Sequence, residues 1–145
     1  MSFATYDFSQ VNVILGGVPI TGFADGTSVT VEFDEEQFTK VTGADGLTTR
    51  SKSNNYAGSV TLTLQQTSKS NDELSALWNA DRINNNGVVP LLIKDNSGRT
   101  LWAAENAWVQ QMPTQEFGKE LADREWVLDC SALTGLAGGN QPLVE

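Results

Sequence analysis

Three clusters in this chain have residue types and spacings that could carry chemistry: Asp34-Glu35-Glu36, Ser51-Lys52-Ser53, and Gly135 with Gly138 and Gly139. Paired carboxylates serve glycoside hydrolysis when two face one another across a cleft. Asp34, Glu35 and Glu36 are consecutive, so strand geometry turns neighbours to opposite faces and the sequence names no partner. Joined by Asp25 they would suit Ca²⁺, but no EF-hand spacing is present. A Ser-Lys dyad needs a neutral amine, and nothing around Lys52 is apolar enough to desolvate it. The glycines make no phosphate cradle, because neither a lysine nor a following helix accompanies them. The chain has no histidine, which removes the Ser-His-Asp triad, the Cys-His pair and the imidazole metal ligand together. Cys130 is the sole cysteine, so no intrachain disulfide can form, and in Trp126-Val-Leu-Asp-Cys130 it reads as a small buried strand residue. The expectation is therefore no enzymatic activity, no cofactor and no metal.

Charge narrows the partners. Eighteen acidic residues stand against nine basic ones, a net charge of −9. Such a chain lacks the basic footprint that holds phosphates, although nucleic acid could still pass without binding. No stretch approaches the roughly 20 apolar residues that cross a bilayer. Met1-Ser-Phe-Ala-Thr-Tyr-Asp7 has neither the basic start nor the apolar run of a signal peptide, so the protein is expected to be made in the cytosol. At 145 residues, one domain spanning 1–145 is expected.

The elements that would position these side chains are mostly strands. Val29, Val31 and Phe33 alternate with polar residues, as do Val60, Leu62 and Leu64. Between them lies a polar segment, 33–58, centred on Lys40-Val-Thr-Gly-Ala-Asp-Gly-Leu-Thr-Thr-Arg-Ser-Lys-Ser-Asn-Asn55. Structureless connections of that length are uncommon inside compact domains. Gly43 and Asp45-Gly46 mark a turn, so the segment reads as a protruding β-hairpin arm with its tip near Ala44–Gly46. Gly16-Gly17 predicts another hairpin turn, and Pro19 confines its second strand to an edge. Ser70-Asn-Asp-Glu73 reads as a capping box opening a helix over 70–83, with Leu74, Leu77 and Trp78 on one stripe. Residues 135–145 read as a glycine-rich tail. The order strand-rich, helix, strand-rich predicts a mainly β (α+β) fold: an antiparallel sandwich or barrel of roughly six to eight strands under one covering helix.

Two surfaces then stand out. Trp102 and Trp108 have even spacing and, absent a bulge, would share a face as a sugar-binding platform, making a β-sandwich carbohydrate-binding module the alternative function. Trp78 and Trp126 read as core. The polar strand face, carrying Glu32, Thr61, Thr63, Gln65, Glu125 and Asp129, is hydroxyl-rich and acidic, and would repel phosphates.

The opening Tyr6-Asp-Phe-Ser-Gln-Val-Asn-Val, the run Thr30-Val-Glu-Phe33 leading to Gly43-Ala-Asp-Gly46, Gly58-Ser-Val-Thr-Leu-Thr-Leu-Gln-Gln-Thr-Ser68 and Ser70-Asn-Asp-Glu-Leu-Ser-Ala-Leu-Trp78 together resemble the tail tube proteins of contractile-tailed bacteriophages. The resemblance is strongest over residues 6–80 and rests on the order of the pieces rather than on one motif. It implies a virion subunit, assembled in the host bacterial cytoplasm, whose sheets close into hexameric rings that stack as a DNA conduit. Its partners would be itself, tail sheath, baseplate and tail terminator, with no membrane insertion. A related tube part of a contractile injection or secretion machine is the neighbouring alternative. The resemblance makes the arm an inter-ring contact, through Lys40, Val41, Thr42, Asp45, Leu47, Arg50, Lys52 and Asn55. The acidic strand face would line the lumen. The arm is basic in an acidic chain, so Asp34, Glu35 and Glu36 of a neighbour become its expected docking patch.

Overall fold

The computed structural model describes residues 4–139. After a short 3-10 turn at Phe8–Gln10 come β1 (Val11–Leu15), β2 (Val18–Ile20), β3 (Val29–Phe33), β4 (Phe38–Thr42), β5 (Thr48–Lys52) and β6 (Gly58–Gln65). Helix α1 (Ser70–Asn84) follows, then β7 (Val89–Asp95), β8 (Leu101–Gln111), β9 (Asp123–Cys130) and β10 (Thr134–Leu136). The main sheet runs β2-β1-β7-β8-β9-β6-β3 with β10 added to β8, and every pairing is antiparallel. Gly16 and Gly17 both take positive φ, 60° and 83°, which closes the β1–β2 turn without a Cβ penalty. β2, which contains Pro19, is an edge strand.

The sheet curls but is not closed. Phe33 on terminal β3 reaches Trp102 on β8, ring centroids 5.7 Å apart, although β6 and β9 lie between them in strand order. After β2 the chain crosses to the outer edge of β6, where Gln65 N donates to Gly22 O at 2.8 Å and Ala24 N to Thr63 O at 3.0 Å. Among the described residues β2 and β3 do not pair with each other, so the structure is a curled open sheet rather than the barrel that was one expectation.

Alternation puts the apolar set on the inner face. Val60, Leu62, Leu64, Trp126, Leu128 and Ala107 are essentially inaccessible. Helix α1 covers this face with buried Leu74 and partly buried Leu77 and Trp78. Its start differs from the expected capping box. The Ser70 hydroxyl accepts from Thr21 N at 2.9 Å, and the N-cap residue is Lys69, with no side-chain cap. A long-range partner has claimed the oxygen that the local motif assigned to the helix. Asn71 anchors the junction instead. Its amide donates to the Gln65 carbonyl at 3.0 Å and the Gln66 carbonyl at 3.3 Å, while its Oδ1 accepts from Trp126 Nε1 at 2.9 Å. Asn85 ends the helix in the left-handed region, φ 56°.

The glycine-rich tail is also corrected in part. Gly135 lies within β10, paired with Trp102, where a Cβ would stand 2.0 Å from the Leu101 carbonyl oxygen. Glycine there permits a backbone contact, not a loose end. Residues 140–145 of that stretch lie outside the described residues.

Candidate functional site

The arm is a hairpin standing off the main sheet. β4 and β5 form their own two-stranded sheet in the register Phe38↔Lys52, Lys40↔Arg50 and Thr42↔Thr48. All ten of their residues are exposed, so both faces of the hairpin meet solvent. The tip is closed by Gly43 N donating to Leu47 O at 2.8 Å and Gly46 N to Gly43 O at 3.0 Å, with Asp45 Oδ1 accepting from Leu47 N at 3.2 Å. Strands of five residues give the hairpin about 17 Å of paired length.

Residues that pair across antiparallel strands share a face. Lys40, Arg50 and Lys52 therefore lie together with Phe38, Thr42 and Thr48. The opposite face carries Thr39, Val41, Thr49 and Ser51. The Arg50 guanidinium sits 4.4 Å over the Phe38 ring, which orients it within the basic face. Among the described residues none of these three cations makes an ion pair. Val41 and Leu47 are 70% and 68% exposed, which marks the outer end of the arm as apolar as well as charged.

The root of the arm is tied by polar bonds. Ser53 N donates to Gln37 O at 2.7 Å, Gln37 Nε2 to Asn55 O at 2.9 Å, and Asp34 N to Ala57 O at 3.1 Å. The Ser53 hydroxyl donates to the Glu35 carboxylate. That bond and a second from Asn55 hold the Glu35 carboxyl below its ordinary value. Of the expected docking patch, Glu35 is thus engaged inside its own arm, whereas Asp34 and Glu36 stay exposed.

Register brings the expected lumen residues onto one face. Glu32 pairs with Ser59 and Ser59 with Asp129; Thr63 pairs with Glu125; Gln65 pairs with Asp123; Thr61 joins the row through Val127. All six lie on the open side of the sheet, away from the helix. Asp129 is partly buried there, and burial first, then the Asp34 charge, push its carboxyl above the ordinary range against a hydrogen bond from Gln110. The polar character of this face ends at β8. Ile14, Leu92 and Ala103 occupy the same open face over β1, β7 and β8 and line an apolar groove. The sequence reading missed this half because Val89–Ile93 is apolar on both faces and alternation cannot divide it.

The two tryptophans do not form a platform. Between the pairs Leu91↔Ala104 and Val89↔Ala107, β8 spends one residue more than β7. This bulge at Glu105–Asn106 reverses the alternation. Trp102 consequently packs on the inner face against Phe33, while Trp108 pairs with Asp129 on the open face. The carbohydrate-binding alternative loses its geometry. Cys130 is buried, and burial pushes its thiol up to about 11. Among the described residues no cluster of three histidine, cysteine, aspartate or glutamate side chains could hold a metal ion, and no helix is long and apolar enough to cross a membrane.

Comparison with known proteins supplies the family. The structural protein ORF10 of Pseudomonas phage KPP10 is 36% identical over 146 residues, covering 95% of this chain and 84% of that protein. Among solved structures, the fold resembles the sheath/tube terminator of the extracellular contractile injection system PVC in its extended state, with TM-score 0.64 and 15% identity over 93% of this chain and 99% of that one. It also resembles the tube-terminating cap of the anti-feeding prophage, with TM-score 0.61 and 16% identity over 92% of each chain. The sheath–tube complex of the PVC system gives TM-score 0.59 and 16% identity, again over 92% of each. At such identities these three likenesses concern fold alone. The family model for the bacteriophage PhiTE tail tube protein matches residues 3–138, nearly the whole described chain, and the protein belongs to that family of phage structural proteins.

Proposed function

We propose that this chain is the repeating subunit of a phage tail tube, without enzymatic activity, and that it closes into hexameric rings whose stack forms the conduit for DNA delivery. The observation that carries the reading is the exposed hairpin of β4 and β5. An isolated two-stranded hairpin is marginal in water, so an arm of this kind gains most when a partner covers it. Lys40, Val41, Thr42, Asp45, Leu47, Arg50, Lys52 and Asn55 are the residues proposed to meet the neighbouring ring. The terminal strands β2 and β3 leave edges that ring closure would cover. Glu32, Thr61, Thr63, Gln65, Glu125 and Asp129 are proposed to face the lumen, where carboxylates let DNA slide past without adhering. Sheath, baseplate and terminator proteins are the further partners proposed, and synthesis in the host bacterial cytoplasm goes with them.

The test is direct. Concentrated protein should form rings and tubes in negative-stain images. Replacing residues 40–50 by Asn-Gly joins Thr39 to Ser51, a hydrogen-bonded pair by register, through a two-residue turn and keeps the tied root. That variant should fold and form rings that fail to stack. Tubes of normal length from the shortened arm would defeat its proposed role. A second reading, a tube terminator rather than the repeating subunit, is favoured by the fold likeness to two terminating components. It predicts single rings or short stacks at every concentration.

A further inference from the structure

Resting on the tube reading, we propose that the basic face of the arm docks into an acidic groove at the opposite end of a second copy, not onto the Asp34–Glu36 patch at the arm's root. The arm leaves the main sheet where Phe33 pairs with Gly58 and Gly58 with Cys130. The other end of the same two strands is marked by the pair Gln65↔Asp123, about 23 Å away along β9. A groove opens at that far end, lined among others by Gln111, Thr114, Glu116, Asp123 and Glu125. Its three carboxylates are all on exposed residues; Glu125 also belongs to the proposed lumen row and is the carboxylate of that row nearest this end, so the contact meets the lumen face there. Asp72 and Glu73 begin α1 beyond the same end of β6, and Glu120 lies on the β8–β9 connection, which adds negative charge to that side; Lys69, Lys119 and Arg124 offset part of it, three basic residues against six acidic.

Arm and groove therefore have complementary charge and lie at opposite ends of one subunit. Two copies related by translation along the strands bring one to the other. Such head-to-tail contacts do not close on themselves and generate an open stack. The Asp34–Glu36 patch lies at the arm's own end, so the same translation carries it away from the neighbour's arm. Glu35 is in addition bonded to Ser53. Within the arm, Lys40, Arg50 and Lys52 are the only basic residues and share one face, so orientation follows: that face turns to the groove, while Val41 and Thr49 point away from it.

Charge exchange tests this. One variant carries K40E, R50E and K52E; the other carries E116K, D123K and E125K. All six positions are exposed, and circular dichroism with thermal melting checks that both variants fold. Each alone should form rings but stack at least tenfold less than wild type, because arm and groove then carry like charge. Mixed in equal amounts, each arm meets a groove of opposite sign in the other variant, and long tubes should return. A mixture that stays as rings while wild type forms tubes overturns the docking site and leaves the tube reading intact. Rescue of the arm variant by D34K with E36K instead assigns the contact to the arm root and also overturns it. Wild type that forms neither rings nor tubes defeats the tube reading itself.

Discussion

Asn71 concentrates more of the fold in one side chain than any other polar residue. It is 4% exposed, binds the carbonyls at the end of β6, and accepts the Trp126 indole N–H. Leaving a buried donor or acceptor unmatched costs about 1–3 kcal/mol. Asn71→Ala strands the buried indole N–H, while the Gln65 carbonyl keeps its bond from Ser68 N, so it should cost about 2 kcal/mol, read as a lowered urea midpoint at unchanged slope. Asp129 offers a test of opposite sign. Its carboxyl is raised by burial and by Asp34, so its contribution to stability is present below the ordinary value of 3.8 and is lost as pH rises through the higher folded value. Asp129→Asn should therefore raise Tm at pH 7, with the gain vanishing at pH 3. A lower Tm at pH 7 would mean that the bond to Gln110 outweighs the charge. Glu35 runs the other way: its bonds to Ser53 and Asn55 add stability above 4.5 that fades as pH falls, weakly because the group is solvent-exposed.

At the scale of elements, the arm combines short paired strands with no packed face, and its protection should show this. In dilute protein the amides of Phe38–Thr42 and Thr48–Lys52 should exchange with solvent at least a hundredfold faster than those of Val60–Leu64, which lie in the core. In tubes the two sets should approach one another. Equal rates in dilute protein would show an arm held by its tied root alone. These elements also divide what the sequence discloses from what it conceals. The arm, the β3 and β6 alternation and the apolar stripe of α1 at Leu74, Leu77 and Trp78 are local periodicities, and they are legible. The β8 bulge is not: Ala104-Glu-Asn-Ala107 shows no break of its own, and only pairing with β7 reveals the extra residue that separates Trp102 from Trp108. Ser70 is misread for a related reason, since its hydroxyl partner Thr21 lies 49 residues away. β10 hides among glycines that sequence assigns to a tail. On the open face, Glu32 and Asp129 could be placed together by parity, but the groove of Glu116, Asp123 and Glu125 required the course of the β8–β9 connection.

For the whole molecule, two electrostatic effects of different range compete, and salt separates them. Subunits of net charge −9 repel one another over distances comparable to the protein itself. The arm-to-groove attraction acts across contact distances of about 4 Å. The screening length is about 30 Å at 0.01 M salt, about 10 Å at 0.1 M and about 3 Å at 1 M. Going from 0.01 to 0.1 M therefore removes much of the long-range repulsion while largely sparing contacts shorter than the screening length. Going on to 1 M weakens the contacts too. Tube length at fixed protein concentration should consequently pass through a maximum near 0.1 M and fall again toward 1 M. The exposed apolar tip residue Leu47, which lies beyond the paired strands, predicts that the fall is incomplete, because burial of such a group does not weaken with screening. In the K40E, R50E and K52E variant the falling limb has no attraction left to screen, so its residual stacking should rise steadily with salt. A wild-type curve that rises in the same way up to 1 M would mean that stacking is held by apolar burial, with the basic face of the arm a bystander.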